Sequence, residues 1–189
     1  IESVGSKNKL KRFKENETTH WISYVLGCVL ILQKEKGIDF KGADFKLTSD
    51  VPLGKGVSSS ASVEVATMKA LTEAFAVHLP GTQLPILAQR VENLIVGAPC
   101  GLMDQLTSYF GESKKLLPIL CQPDKIEKPI ALPEYISFIG IDSGIRHSVA
   151  GASYGDVRCA AFMGYSIITN LLEITAEELS LAKSKIDFS

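Results

Sequence analysis

Between Val51 and Ala61 the chain reads VPLGKGVSSSA. Gly54 and Gly56 let the backbone turn sharply and approach a ligand closely. Ser58, Ser59 and Ser60 follow, and then Val63, Val65, Ala66, Met68, Leu71 and Phe75 recur at helical spacing. Upstream, Ala43 to Asp50 alternates as Phe45, Leu47 and Ser49, the pattern of a strand. A strand therefore leads into a Gly/Ser loop, which leads into a helix. The first turn of such a helix carries unpaired N–H groups and the positive end of the helix dipole. Those groups suit a phosphate. Read from the residues alone, the segment is either that anion cradle or an ordinary capped helix after a flexible loop. It is not a Walker loop, because no Gly-Lys-Ser/Thr stands at the required spacing.

The remaining chain is read from period and punctuation. Residues 1–17 are polar and basic, a solvated loop or helix end. A helix is predicted from Thr18 to Lys36, with Thr18 or Thr19 as cap, Trp21 as a core anchor, and Val25, Cys28, Val29 and Leu32 on its apolar face. Gly37 ends it. Further helices are predicted from Gln83 to Val96, Leu102 to Phe110 and Val157 to Leu172, with another opening at Thr175 in a T-A-E-E capping box. Leu116 to Cys121 and Tyr135 to Ile141 read as strands, with Pro123, Pro129 and Pro133 between them.

Composition narrows the function. The 20 Lys plus Arg nearly balance 21 Asp plus Glu, for a net charge of −1, which excludes nucleic-acid binding through a broad basic face. With 4 Cys, at 28, 100, 121 and 159, no C-x-x-C pair and only 3 His, a structural zinc site is not expected. Cysteines scattered in this way read as reduced thiols of a cytoplasmic enzyme. The longest apolar run, Ile22 to Leu32, is far short of the roughly 20 residues a bilayer span needs, so no membrane partner is expected. The chain starts at Ile1 and ends at Ser189 after a charged stretch, which reads as a piece of something longer.

Two more segments carry chemical groups. In GAPCGLMDQ, Gly97 to Gln105, two glycines and a proline shape a tight loop, and Asp104 falls near the start of the next helix. The dipole there favours an ionised carboxylate, which can accept a proton from a substrate hydroxyl or simply favour the helix. The loop after the Tyr135 to Ile141 segment gathers Asp142, Ser143, Arg146, His147, Ser148 and Tyr154 among three glycines. It is either a functional loop at a strand end or a solvated connection.

Taken together, the three segments resemble the GHMP kinases, the superfamily of galactokinase, homoserine kinase, mevalonate kinase and phosphomevalonate kinase. VPLGKGVSSSAS resembles their second motif, P-x-x-x-G-L-x-S-S-A, through Pro52, Gly56, Ser59, Ser60 and Ala61, with Val57 in place of Leu. GAPCGLMDQ resembles the catalytic-aspartate segment of the galactokinase branch, and Arg146-His147-Ser148 followed by Tyr154 fits the same branch. The surrounding wording is nearer still to plant-type L-arabinokinases. The likeness runs from about Trp21 to Leu172, while the family's first and third motifs have no counterpart in this chain.

The resemblance implies an α/β fold, in full an α+β two-lobed GHMP kinase fold with a ribosomal-protein-S5-like N-terminal lobe, incomplete at both ends. Residues 1–125 would belong to the N-terminal lobe and 126–189 to the start of the C-terminal lobe. It implies an ATP-dependent sugar 1-kinase acting on L-arabinose. The alternatives are a galactokinase, or a non-catalytic sugar- and ATP-binding protein or inactive fragment. ATP and Mg²⁺ would be the cofactors, and a small sugar the other partner. Gly54, Gly56, Val57, Ser58, Ser59, Ser60 and Ala61 would hold the ATP phosphates. Ser60 and Glu92 would hold Mg²⁺, Glu92 lying twelve residues before Asp104. Asp104 would be the catalytic base, with Arg146 near it, and Cys100, Gly101 and Tyr154 would join it in the sugar pocket. His147 is left to a structural role.

Overall fold

The computed structural model describes residues 20–121, 124–144, 152–171 and 175. Helix α1 spans Ile22–Lys36 and buries Val25, Cys28, Ile31 and Leu32 along one stripe. Gly37 terminates it in a left-handed conformation, φ 65°, with its N–H on the carbonyl of Gln33. A residue with a Cβ takes up that conformation only at a cost. The expected start at Thr18 or Thr19 lies outside the described residues, and Trp21 occupies the N-cap with no side-chain cap bond. Trp21 is not a core anchor: it is 51% exposed. It keeps the helical spacing of Val25 and Cys28, but at the helix end it lies beyond the elements that cover them.

Helix α2, Ser59–Ala74, follows the Gly/Ser loop. Its buried face is Ala61, Val65, Met68 and Leu71, the 3.6-residue period the sequence shows. Helix α3, Gln83–Arg90, does not continue as an α-helix to Val96. Val91–Val96 forms a π-helical turn, closed by Gly97 at φ 86°. Helix α4 is Met103–Phe110. α1, α2, α3 and the π turn enclose a core of Cys28, Ile31, Leu32, Val65, Met68, Leu71, Leu84, Leu87, Ala88 and Val91. Burying a side chain such as Ile31, Leu32 or Met68 contributes about 1.5–3 kcal/mol.

The strands are short. β1, Lys115–Leu116, pairs antiparallel with β4, Ile130–Ala131. β2, Ile119–Cys121, pairs antiparallel with β3, Asp124–Ile126, inside the first pair. The single strand expected from Leu116 to Cys121 is therefore two, with Pro118 at the break, where it has no N–H to give a ladder. The expected strand at Ala43 to Asp50 is an irregular exposed run. So is Tyr135 to Ile141, with Tyr135 87%, Ile139 86% and Ile141 91% exposed. Among the described residues neither has a neighbouring strand, and β preference is realised only against a partner. Helix α5, Ala152–Leu171, is longer at its start than expected. Of the predicted helix at Thr175 only that residue is described, outside any helix. Cys28, Cys100 and Cys159 are free thiols. No helix among the described residues is long and apolar enough to cross a membrane.

The contact between α1 and the π turn is close at Gly27. A Cβ there would strike Cγ1 of Val91 and lie 3.3 Å from Cγ2 of Ile95. Both neighbours are β-branched and stiff, so neither yields easily. Gly27→Val should destabilise the fold by about 1–3 kcal/mol, measured as a fall in the midpoint of urea unfolding. An unchanged midpoint would show that α1 does not pack this tightly on the turn.

Candidate active site

The Gly/Ser loop is exposed from Pro52 to Val57. Gly54, Gly56 and Ser58 are all left-handed, at φ 67°, 71° and 60°. Two of the three are glycine, as the conformation demands, but Ser58 is not, and a non-glycine residue there stores about 1–3 kcal/mol of strain. Ser58 is also the N-cap of α2, and among the described residues no side chain caps the helix. The first-turn N–H groups are thus left without a side-chain cap, which suits an anion site. Beside the loop lies a groove of about 410 Å³ lined by Val51, Val57, Ser58, Ala66, Lys69 and Tyr109, among others. Its size falls in the range of small-molecule sites, roughly 300–1,000 Å³.

The loop is tied to the third segment. Lys55 forms an ion pair and hydrogen bond with Asp142, whose other oxygen accepts the N–H of Gly144 at 3.0 Å. The lysine first, and the Gly144 N–H second, lower the pKa of Asp142. Arg146, His147 and Ser148 lie outside the described residues, and Tyr154 falls in the first turn of α5.

The π turn shapes the second segment. Its widened carbonyl spacing lets Glu92 O accept from both Gly97 N, at 2.9 Å, and Ala98 N, at 3.0 Å. π turns recur at functional sites because they redirect side chains. The Cys100 carbonyl accepts from Gln89 Nε2 at 3.2 Å, Arg158 Nη1 at 3.1 Å and Asn93 Nδ2 at 3.5 Å. Asn93 Oδ1 accepts the Cys100 N–H at 2.9 Å. Cys100 is thereby fixed from α3, the π turn and α5, while Gly101 stays exposed. Asp104 is half-buried in the first turn of α4.

Next to Asp104 in the chain, Gln105 enters a buried polar cluster. Gln105 is fully buried, and its Nε2 donates to Glu92 Oε2 at 2.9 Å and to Glu64 Oε2 at 3.3 Å, with Cys100 Sγ 3.6 Å away. Glu64 is fully buried and Glu92 is 4% exposed, so Glu92 is not the surface carboxylate its lone helical position suggests. Two carboxyls this close in a dry site do not both ionise. Burial foremost, then the charge of Glu92, pushes Glu64 up to about 9, against the Gln105 hydrogen bond. Burial, then Glu92, pushes the Cys100 thiol up to about 12. Tyr24 and Cys28 are raised chiefly by burial as well.

The structure thus joins Glu92 and Cys100 in one buried cluster with Gln105 and Glu64, and Asp104 precedes Gln105 in the chain. Ser60 stands one helical turn before Glu64 on α2, and so on the face that meets it. A hydroxyl and a carboxylate are a donor pair suited to a hard cation, and magnesium is held by one or two carboxylates plus substrate phosphates. Among the described residues no group of three or more His, Cys, Asp or Glu side chains is arranged around a metal position. The sequence reading assigns no role to Glu64, Gln105, Asn93 or Arg158. A charged residue in the apolar stripe of α2 is the signal that marks Glu64, and Gln105 sits inside a quoted motif. Arg158 has no sequence signal, because only α5's position brings it to Cys100.

Comparison with known proteins bears on the family. The model of the family described as GHMP kinases N terminal domain matches residues 23–112. The chain is 46% identical over 171 residues to an L-arabinokinase of Arabidopsis thaliana, covering 90% of this chain and 16% of that protein. It is 36% identical over 149 residues to a galactokinase of Chloroflexus aurantiacus, covering 79% and 38%. To a galactokinase of a Roseiflexus species it is 37% identical over 144 residues, covering 76% and 36%. The chain spans less than two fifths of the length of these relatives.

The raised pKa of Glu64 has a measurable consequence. Its carboxyl loses its proton near 4.5 when unfolded and near 9 when folded. Between those values the folded state holds a proton that the unfolded chain has released. Stability contributed by the group is therefore complete below about 4.5 and is lost as pH rises towards 9, by up to about 1.4 kcal/mol per pH unit. Glu64→Gln should flatten the fall in urea midpoint between pH 5 and pH 9 relative to the parent. Parallel curves would mean that Glu64 is ionised in the folded state.

Proposed function

We propose that the chain, whose residues 23–112 match the GHMP kinases N terminal domain, belongs to an ATP-dependent sugar 1-kinase with L-arabinose as its acceptor. One observation carries the reading. The helix that follows the left-handed glycine loop, with no side-chain cap at its start, packs against α4, the helix that carries the half-buried Asp104. An anion site and a carboxylate held in one rigid unit are what phosphoryl transfer to a hydroxyl requires. The name of the Arabidopsis relative favours L-arabinose, and the two bacterial relatives make galactose the second candidate.

In this reading the loop from Gly54 to Ala61 holds the ATP phosphates with backbone N–H groups, and the groove beside Val57 and Tyr109 receives the nucleoside. Ser60 and Glu92 would hold Mg²⁺, which when bound would offset charge on the phosphoryl oxygens. Cys100, Gly101 and Tyr154 line the sugar site. Asp104 accepts the proton of the anomeric hydroxyl as its oxygen attacks the γ-phosphorus. The bond from that phosphorus to the bridging oxygen breaks, leaving a sugar 1-phosphate and ADP. By the family resemblance, Arg146 would steady the charge of Asp104. The enzyme has two lobes that divide near residue 125, with the site between them.

In the full-length protein, Asp104→Asn should lower kcat by about 10²–10⁴-fold while ATP affinity, followed with a fluorescent nucleotide, stays unchanged. Near-normal turnover would remove Asp104 from the chemistry. For the acceptor, L-arabinose repeats the ring stereochemistry of D-galactose without its hydroxymethyl group. A pocket shaped for the smaller sugar rejects the larger by a clash. The full-length enzyme should therefore show the higher kcat/KM with L-arabinose, and a preference for galactose would reverse the assignment.

A further inference from the structure

We propose that Gln105 is a positioning residue that sets the Glu92 carboxylate relative to Asp104 through one buried amide. The proposal rests on the kinase reading above and adds to it a residue with no reactive group. Gln105 follows Asp104 directly in the first turn of α4, so whatever holds Gln105 holds the backbone of Asp104. Its amide nitrogen has two hydrogens. One goes to Glu92 Oε2 at 2.9 Å in the π turn, the other to Glu64 Oε2 at 3.3 Å on α2. The Glu64 position is one turn from Ser60. A single amide therefore links the three elements that carry Ser60, Glu92 and Asp104, and Cys100 Sγ lies 3.6 Å from the same nitrogen.

The orientation of that amide is determined by its surroundings. Turned over, it would give up both N–H bonds and set its oxygen against the Glu92 carboxyl. In the observed orientation Gln105 Oε1 and Glu64 Oε1 are left buried without a hydrogen-bond partner. Orphaned buried oxygens are costly, and a core built for stability alone would replace them with apolar groups. The arrangement instead retains a donor whose two bonds both end on carboxyl oxygens. Residues that orient a metal-binding carboxylate by hydrogen bonds are the kind whose loss weakens metal binding without removing a ligand.

The test uses the full-length kinase and three variants, Gln105→Leu, Gln105→Glu and Gln105→Asn. The initial rate is titrated with MgCl₂ at saturating ATP and L-arabinose, and melting is followed alongside. Each folded variant should need about 10–100-fold more Mg²⁺ for half-maximal rate. A residue that only supports the fold would lower the melting temperature and leave the Mg²⁺ requirement of the folded protein unchanged, and that result overturns the proposal. Failure of all three variants to fold would also overturn it, marking Gln105 as purely structural. Glu92→Gln, with Gln105 intact, separates this from the metal assignment itself. Unchanged Mg²⁺ dependence there removes the metal site and the proposal together. A loss at Glu92→Gln with normal behaviour of Gln105→Leu removes only the positioning role.

Discussion

A carboxylate taken out of water must be met by donors or give up its charge, and that constraint organises the centre of this domain. Glu64 and Glu92 are both buried within reach of one amide. Gln105 has only two N–H bonds to offer, so the pair is resolved by asymmetry: Glu64 keeps its proton while Glu92 takes the shorter bond. The helices that supply the three residues cannot slide past one another without breaking that arrangement. The apolar core around Ile31, Leu32 and Met68 drives the packing, and the polar cluster fixes its register.

Backbone strain and missing caps mark the other side of the site. A helix of this length usually starts on a side-chain cap worth about 1 kcal/mol. α2 starts on a left-handed Ser58 that caps nothing, after Gly54 and Gly56 in the same conformation. The loop thus forgoes local stability and leaves its N–H groups facing outward. The π turn does something similar at Glu92, where two N–H groups share one carbonyl and the chain is redirected into the loop of Cys100. Both departures from regular helix lie where the proposed phosphates, metal and sugar meet.

The glycine loop and the helix stops were more legible in the sequence than the strands. Gly54, Gly56 and the serines announce a loop entering a helix, because glycine's freedom and helical period are local properties. Gly97 and Gly37 end their elements where punctuation places them, at φ 86° and 65°. The strands at 43–50 and 135–141 were misread, because alternation describes a residue pattern while a strand exists only with a partner. Trp21 was misread for a related reason: spacing says which face a residue joins, not whether anything covers that end of the helix.

What the sequence determined by itself is what depends on near neighbours: the helices, their glycine stops, and the loop that exposes N–H groups at the start of α2. What only the tertiary structure decided is which side chains share a dry space. Glu64, Glu92 and Gln105 are 41 and 13 residues apart along the chain in their two hydrogen bonds, and Arg158 reaches Cys100 across 58. No local pattern encodes those distances. Burial then sets the chemistry, since the same carboxyl that ionises near 4.5 in water holds its proton to about 9 beside a second one.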